Sequence, residues 1–147
     1  MTRSIAIACD HGGIDLKGIL KADLTTAGFE VHDFGTDSND SVDYPDFGYK
    51  MADAIRNKVV DRGVLICGSG IGISMAANRY PDVRAAPVHD VTSARLGREH
   101  NDANVVCFGA RLIGNELARE CLQVFLDTRF EGGRHIQRVE KLSNPSV

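Results

Sequence analysis

The chain has 147 residues, of which 43% are hydrophobic and 25% are charged, and its formal net charge is −3. This length predicts one domain, residues 1–147, with a hydrophobic core of its own. The acidic balance argues against general nucleic-acid binding, which needs a basic surface, and no apolar run approaches the roughly 18 residues that cross a bilayer. The first residues lead straight into a strand without a signal-peptide pattern, so we expect a cytoplasmic protein with neither nucleic acid nor membrane as a partner.

Short apolar runs alternate with helical patterns along the whole chain. The predicted strands cover 4–9, 30–34, 64–67, 83–88 and 104–108. The predicted helices lie between 16 and 28 and over 47–57, 71–78, 92–99 and 115–127, and a polar helical tail runs through 139 and 142. The polar stretch 35–46 is predicted to be an exposed loop. This alternation predicts an α/β/α sandwich on a five-stranded parallel sheet, with a C-terminal helical tail.

The stretch 64–74 carries the strongest local signal, because a buried strand is followed by glycines at 68, 70 and 72 and then by a helical pattern. Such a junction directs backbone N–H groups and the positive end of a helix toward one point, which suits an anion. Cys67 lies at the strand exit, where this field favours a thiolate, and Ser69 adds a hydroxyl. Taken alone, the pattern also fits a tight turn with a buried cysteine.

Further polar residues follow other predicted strands. Asp10 and His11 follow the first strand, and Arg111 follows the fifth. In parallel sheets, ligands bind beyond the carboxyl ends of the strands, so these residues and the glycine loop are predicted to form one site. An alternative role for Asp10 is to cap the first helix.

The glycine spacing argues against a nucleotide cofactor. The loop reads G-x-G-x-G after the third strand, whereas dinucleotide domains use G-x-G-x-x-G after the first, and no Walker sequence is present. The four cysteines lack metal-ligand spacing, so no cofactor and no metal are expected. Three of them lie in apolar runs and are predicted to be core residues: Cys9, Cys107 and Cys121.

Several blocks together resemble the ribose-5-phosphate isomerase B family, within a group that includes galactose-6-phosphate and allose-6-phosphate isomerases. The similar blocks span nearly the whole chain: 9–12, 43–45, 67–74, 77–78, 84–85, 100–102, 108–111 and 131–138. The resemblance implies a Rossmann-like three-layer fold and a homodimer with shared active sites, which some members pair into a dimer of dimers. It also implies a reaction, the interconversion of ribose 5-phosphate and ribulose 5-phosphate in the non-oxidative branch of the pentose phosphate pathway.

The resemblance further implies roles for individual residues. Cys67 is the base that removes the carbon-bound proton, and Ile73 stands where a second version of the family has a glutamate base. His100 opens the sugar ring, and Ser69 moves a proton between O1 and O2 of the enediolate. The expected substrate contacts are Asp10, His11, Tyr44, Gly68, Gly70, Ile71, Gly72 and Asn101, with the N–H groups of 70–72 holding the enediolate. The expected phosphate ligands are His11, Arg111, Arg134 and Arg138.

Two other functions remain open at this stage. A hexose-6-phosphate isomerase would use the same machinery with more room around the distal sugar carbons. A non-catalytic sugar-phosphate binder would use the same pocket, although binding alone needs no base. The remaining histidines, His32, His89 and His135, are interpreted as structural or surface residues.

Overall fold

Five parallel strands form the centre of the computed structural model, which describes residues 3–147. The strands are β1 (Arg3–Cys9), β2 (Phe29–Asp33), β3 (Gly63–Cys67), β4 (Ala85–Pro87) and β5 (Val105–Gly109). Their order across the sheet is β2-β1-β3-β5-β4. The three inner strands β1, β3 and β5 are buried along nearly their whole length, as expected for strands covered on both faces.

Six helices accompany this sheet, and the first five pack on its two faces. They are α1 (Ile14–Thr26), α2 (Tyr44–Arg56), α3 (Ile71–Ala77), α4 (Val91–Glu99), α5 (Asn115–Asp127) and α6 (His135–Ser143). One core cluster joins α1, α4 and α5 to one face, and the other joins α2 and α3 to the opposite face. The predicted α/β/α sandwich with its helical tail is therefore confirmed. Among residues 3–147, no helix combines the length and the apolar character needed to cross a membrane.

Helix α2 begins earlier than the sequence pattern predicted. The polar stretch 35–46 was expected to be loop throughout, but α2 starts at Tyr44 and has Pro45 in its first turn. Proline is well suited to that position, because the first N–H groups of a helix have no partner within it. The early start matters for the site, since it places the Tyr44 side chain on a helix.

The strand order brings the carboxyl ends of β1, β3 and β5 together. Cys9 pairs with Ile66 across β1 and β3, and Cys67 pairs with Gly109 across β3 and β5. The chain leaves β1 and β3 in opposite directions across the sheet, and such a point leaves a crevice for ligands. Residues following these three strands are consequently neighbours, as predicted.

Candidate active site

The Cys67 side chain lies at the end of β3 and is 4% exposed. Its Sγ accepts a hydrogen bond from the Gly70 N–H at 3.1 Å. An N–H donor stabilises a thiolate more than a neutral thiol, because the sulfur carries the full negative charge. This contact therefore places a hydrogen-bond donor where negative charge on the sulfur would lie.

The other three cysteines lie in the core, as predicted. Burial, the largest cause in each case, raises the pKa of Cys9 and Cys121 to about 11. It raises the pKa of the fully enclosed Cys107 still further, with a smaller contribution from Cys67. These thiols stay protonated near neutral pH.

The loop after Cys67 packs against the end of β5. Gly70 has a φ of +75°, and a Cβ at this position would lie 2.9 Å from the carbonyl carbon of Phe108. Glycine is therefore required here for both conformation and space. The Ser69 Oγ accepts the Ile71 N–H at 3.2 Å. Two of the three N–H groups predicted to hold an enediolate, those of Gly70 and Ile71, thus donate to side chains of the loop in this structure.

Asp10 and His11 are oriented by short backbone contacts. The Asp10 Oδ1 accepts the Gly12 N–H at 2.9 Å and caps a 3-10 turn, His11–Gly13, ahead of α1. The Val42 N–H donates to Nδ1 of His11 at 3.2 Å. Because Nδ1 is an acceptor there, the proton of the neutral imidazole is on Nε2, which can donate to a ligand oxygen.

Arg111 crosses the glycine turns that follow β1 and β3. A Cβ at Gly68 would lie 3.3 Å from its Nη1, and a Cβ at Gly12 would lie 3.7 Å from its Nη2. Its backbone N–H donates to the Gly68 carbonyl at 3.0 Å. The absence of side chains at both glycines makes room for the guanidinium, so a positive charge lies close to the Cys67 loop.

Tyr44 forms a wall beside the same loop. A Cβ at Gly72 would lie 2.7 Å from the Tyr44 ring, so the ring packs directly on the first turn of α3. The Tyr44 side chain is 42% exposed and faces outward beside the half-buried Gly72. The predicted residues Asp10, His11, Tyr44, the loop 67–72 and Arg111 are thus neighbours at one edge of the sheet, which we call the carboxyl edge.

His100 and Asn101 lie at the opposite edge, which we call the amino edge. Helix α4 runs back against the strands and ends at Glu99. The Gly63 N–H, at the start of β3, donates to the carbonyl of Asn104, four residues after His100, at 2.9 Å. Strand β3 has five residues, so its two ends are about 13 Å apart. The structure therefore separates His100 from Cys67 within one chain.

His135 stacks on His100 at this edge. Their ring centroids are 4.4 Å apart, and the ring planes meet at 14°. His135 is 4% exposed, and its Nε2 is the one buried side-chain N or O atom without a hydrogen-bond partner in the described part of the chain. Burial, and then the charges of His100 and Arg134, lower the pKa of His135. The sequence interpretation missed this contact, although His135 directly follows the predicted phosphate ligand Arg134.

Arg134 and Arg138 belong to the amino edge as well. The Glu131 N–H donates to the carbonyl of Glu99 at 3.0 Å and brings this segment to the end of α4. Both arginine side chains are exposed beside the buried His135. A cavity of about 360 Å³ at this edge is lined in part by Asn101, Arg84 and Leu142, without Cys67. The predicted site residues thus form two groups on opposite edges of the sheet.

One cluster has the composition of a metal site. Ligand atoms of His100, Glu131 and His135 lie within 4.8 Å of one another, the single such group found over residues 3–147. Zinc needs nitrogen ligands that converge on one point at about 2.0–2.1 Å, whereas these two imidazoles are nearly parallel. Arg134 and Arg138 add positive charge nearby, so the arrangement suits an anion better than a cation. The expectation of no metal cofactor stays a prediction.

His89 also contacts the Cys67 loop, although the sequence suggested only a structural or surface role. Its Nε2 lies 3.3 Å from the carbonyl oxygen of Ser69. The residue follows β4, and the neighbouring pairing of β4 with β5 brings it to the carboxyl edge. No local pattern in the sequence indicates this contact.

Comparison with known proteins places the chain in a family. A family model described as Ribose/Galactose Isomerase matches residues 5–142. The chain is 45% identical over 141 residues to ribose-5-phosphate isomerase B of Escherichia coli (strain K12). The matched region covers 96% of this chain and 95% of that relative.

Solved structures give the same result. Ribose-5-phosphate isomerase B of Clostridium thermocellum matches with 48% identity and a TM-score of 0.94 over 95% of each chain. The Mycoplasma genitalium enzyme of that name, with bound ribulose 5-phosphate, matches with 41% identity and a TM-score of 0.92, over 97% of this chain and 95% of that one. By sequence and by structure, this chain belongs to the Ribose/Galactose Isomerase family.

Proposed function

We propose that this protein is an isomerase that interconverts ribose 5-phosphate and ribulose 5-phosphate, with Cys67 as the base. The observation that carries the proposal is the Cys67 thiol, which accepts the Gly70 N–H at 3.1 Å in a loop whose Gly68 lies against the Arg111 guanidinium. The similar proteins named ribose-5-phosphate isomerase B support the choice of substrate. A match over 5–142 supports one isomerase domain over the whole chain. The cytoplasmic location stays a prediction from the sequence.

The chemistry requires one proton to move between two carbons. The Cys67 thiolate takes the proton from C2 of the open-chain aldose, and the C1 carbonyl becomes the negatively charged oxygen of an enediolate. The Ser69 hydroxyl passes a proton from O2 to O1, and Cys67 returns its proton to C1. Of the backbone N–H groups of 70–72 expected to stabilise the negative charge, that of Gly72 is the one not directed at Cys67 or Ser69 here. No electrons leave the sugar, so the reaction needs no redox cofactor.

Ring opening requires an acid–base group, and the residue that the family resemblance assigns to this step lies outside the carboxyl edge. The proposed group, His100, lies at the amino edge of its own chain, whereas Cys67 lies at the carboxyl edge, and the two ends of β3 are about 13 Å apart. We propose that two chains form a homodimer in which the amino edge of one covers the carboxyl edge of the other. His100 and Asn101 of one chain then act on a sugar held by Asp10 and Cys67 of its partner.

The proposed dimer also completes the phosphate site. His11 and Arg111 supply donors from one chain, with the His11 proton fixed on Nε2. Arg134 and Arg138 supply two exposed guanidinium groups from the partner. Arginine forks match phosphate oxygens in geometry and charge. A phosphate bound in this way holds the phosphorylated end of any aldose phosphate. The preference for a sugar of a given length therefore depends on other contacts.

The test is turnover of ribose 5-phosphate by the purified protein in the presence of EDTA. Wild type is expected to be active, and Cys67→Ala is expected to lose about 10²–10⁴-fold in kcat, because the base acts in the transition state. Substrate binding by Cys67→Ala, measured by calorimetry, should stay close to wild type. The matched control is Cys121→Ala, which removes a buried thiol of the hydrophobic core on α5.

Two outcomes would contradict the proposal. Near-normal turnover by Cys67→Ala would show that another group is the base. Binding of ribose 5-phosphate without turnover by wild type would favour a non-catalytic binder. Allose 6-phosphate and galactose 6-phosphate belong in the same assay, because the family description covers galactose isomerases; a higher kcat/KM for either would reassign the substrate.

A further inference from the structure

His89 lies at the carboxyl edge beside the glycine loop. The Val88 N–H donates to the carbonyl of Cys107 at 2.9 Å, which fixes the chain next to the end of β5 just before His89. The His89 Nε2 lies 3.3 Å from the carbonyl oxygen of Ser69. A carbonyl oxygen can only accept, so Nε2 carries a hydrogen and donates it.

The acceptor belongs to the peptide group that contacts the proposed base. The Ser69 carbonyl and the Gly70 N–H are two ends of one planar unit and point in opposite directions. The Gly70 N–H donates to Cys67 Sγ at 3.1 Å. One peptide group therefore connects His89 on one side to Cys67 on the other.

We propose that His89 is a positioning residue that holds the Ser69–Gly70 peptide with its N–H directed at Cys67 Sγ. The proposal rests on the proposed role of Cys67 as the base. A peptide whose carbonyl accepts a hydrogen bond is a stronger donor at its N–H, because the two bonds polarise each other. The thiolate is stabilised by that donor, so His89 acts on the sulfur without touching it.

The loop needs such a restraint, because Gly70 has a φ of +75°, in a region where glycine moves with little steric resistance. Rotation of this peptide would turn the Ser69 carbonyl oxygen toward the sulfur and repel a thiolate. Backbone packing brings Gly109 close to the Ser69 oxygen, since a Cβ at Gly109 would lie 2.6 Å from it, and the hydrogen bond from His89 adds a directional restraint on the same oxygen. The neighbouring Asp90 carboxylate accepts the Ser93 N–H at 2.6 Å, and so it is already engaged with the start of α4.

The test measures thiolate formation directly. Ultraviolet absorbance of the thiolate is followed against pH for wild type and each His89 variant, and the same protein carrying Cys67→Ser is subtracted. In His89→Phe, which has no donor, the thiolate fraction below the titration midpoint is expected to fall roughly threefold to tenfold. His89→Gln, whose amide reaches about as far as Nε2, should restore most of it. The kcat should fall in proportion, with KM within about twofold.

His32→Leu is the matched control, because this histidine is also half-buried but lies on β2 and contacts Glu30 at 3.2 Å. It should leave thiol titration and turnover unchanged. A folded His89→Phe protein that titrates like wild type would overturn the proposal, and so would a lower kcat without a changed titration. If His89→Phe does not fold, the shorter amide of His89→Asn takes its place, with the same expected loss. The titration needs no turnover, so it is independent of whether Cys67→Ala remains active.

Discussion

A methyl group added at Gly70 would meet backbone on the end of β5. The added Cβ would lie 2.9 Å from the Phe108 carbonyl carbon, at a φ of +75°. Gly70→Ala is therefore expected to lower the free energy of unfolding by about 2–4 kcal/mol, since left-handed backbone strain and a steric clash act together. Urea unfolding, followed by circular dichroism, measures this change in the free energy of unfolding.

Gly18→Ala is the control for this prediction. Gly18 lies inside α1, and an added Cβ would have nothing within 4 Å. Alanine should raise the free energy of unfolding by about 0.5–1 kcal/mol, because it loses less backbone entropy on folding. Equal effects of the two substitutions would show that the loop is not seated on β5 in this way.

The residues of the carboxyl edge could be predicted from sequence for a local reason. Asp10, Cys67 and Arg111 each follow an apolar run, and parallel strands end at one edge whatever their order. His89 and His135 could not be predicted in this way. The His89 contact with Ser69 spans 20 residues, and it depends on β4 lying next to β5, which no strand pattern encodes.

An ion cluster centred on the buried Lys17 joins α1 to the end of β2. Lys17 donates to both Asp33 oxygens, at 2.9 and 3.1 Å, and to Asp37 at 2.9 Å. Helical spacing from the apolar residues Leu16, Leu20 and Leu24 puts Lys17 on another face of α1, yet Lys17 is 4% exposed. Helical spacing predicts which side of a helix a residue lies on. It does not predict that a loop from elsewhere in the chain covers that side.

This cluster predicts a pH dependence of stability. Burial raises the pKa of Asp33, but hydrogen bonds from Lys17, the Gly35 N–H and Lys21 outweigh it and lower the pKa overall. A lowered folded-state pKa means that the stabilisation is complete above the unfolded value, near 3.9, and is lost as pH falls through the folded value. Asp33→Asn should therefore cost about 2–4 kcal/mol at pH 7.

The difference between wild type and Asp33→Asn should shrink steadily as pH falls below about 4, as measured by urea unfolding across that range. Asp23→Asn is the control, because its exposed pair with Arg119 at 2.7 Å is worth at most about 1 kcal/mol. A constant cost of Asp33→Asn down to pH 2 would show that the charge of Asp33 is not what stabilises the cluster.

At the scale of the molecule, the sheet divides the predicted site into two halves. The family resemblance implied site residues in both halves. Only the topology shows that Cys67, at the end of β3, and His100, directly after α4, lie at opposite edges of the sheet. The proposed homodimer makes a definite prediction about mixed dimers. A heterodimer of Cys67→Ala and His100→Ala would contain one site with both residues intact and one site with neither.

Subunit exchange between these two inactive variants is therefore expected to restore about half of the wild-type activity per heterodimer, since one of two sites is complete. Differently tagged subunits allow the heterodimer to be isolated before assay. Cys67→Ala mixed with Asp10→Ala is the matched control, because both residues lie at the carboxyl edge of one chain, so each of the two sites keeps one defect. If isolated Cys67→Ala and His100→Ala heterodimers stay inactive, or if the wild-type protein sediments as a monomer while turning over substrate, the model of a site shared between two chains is wrong.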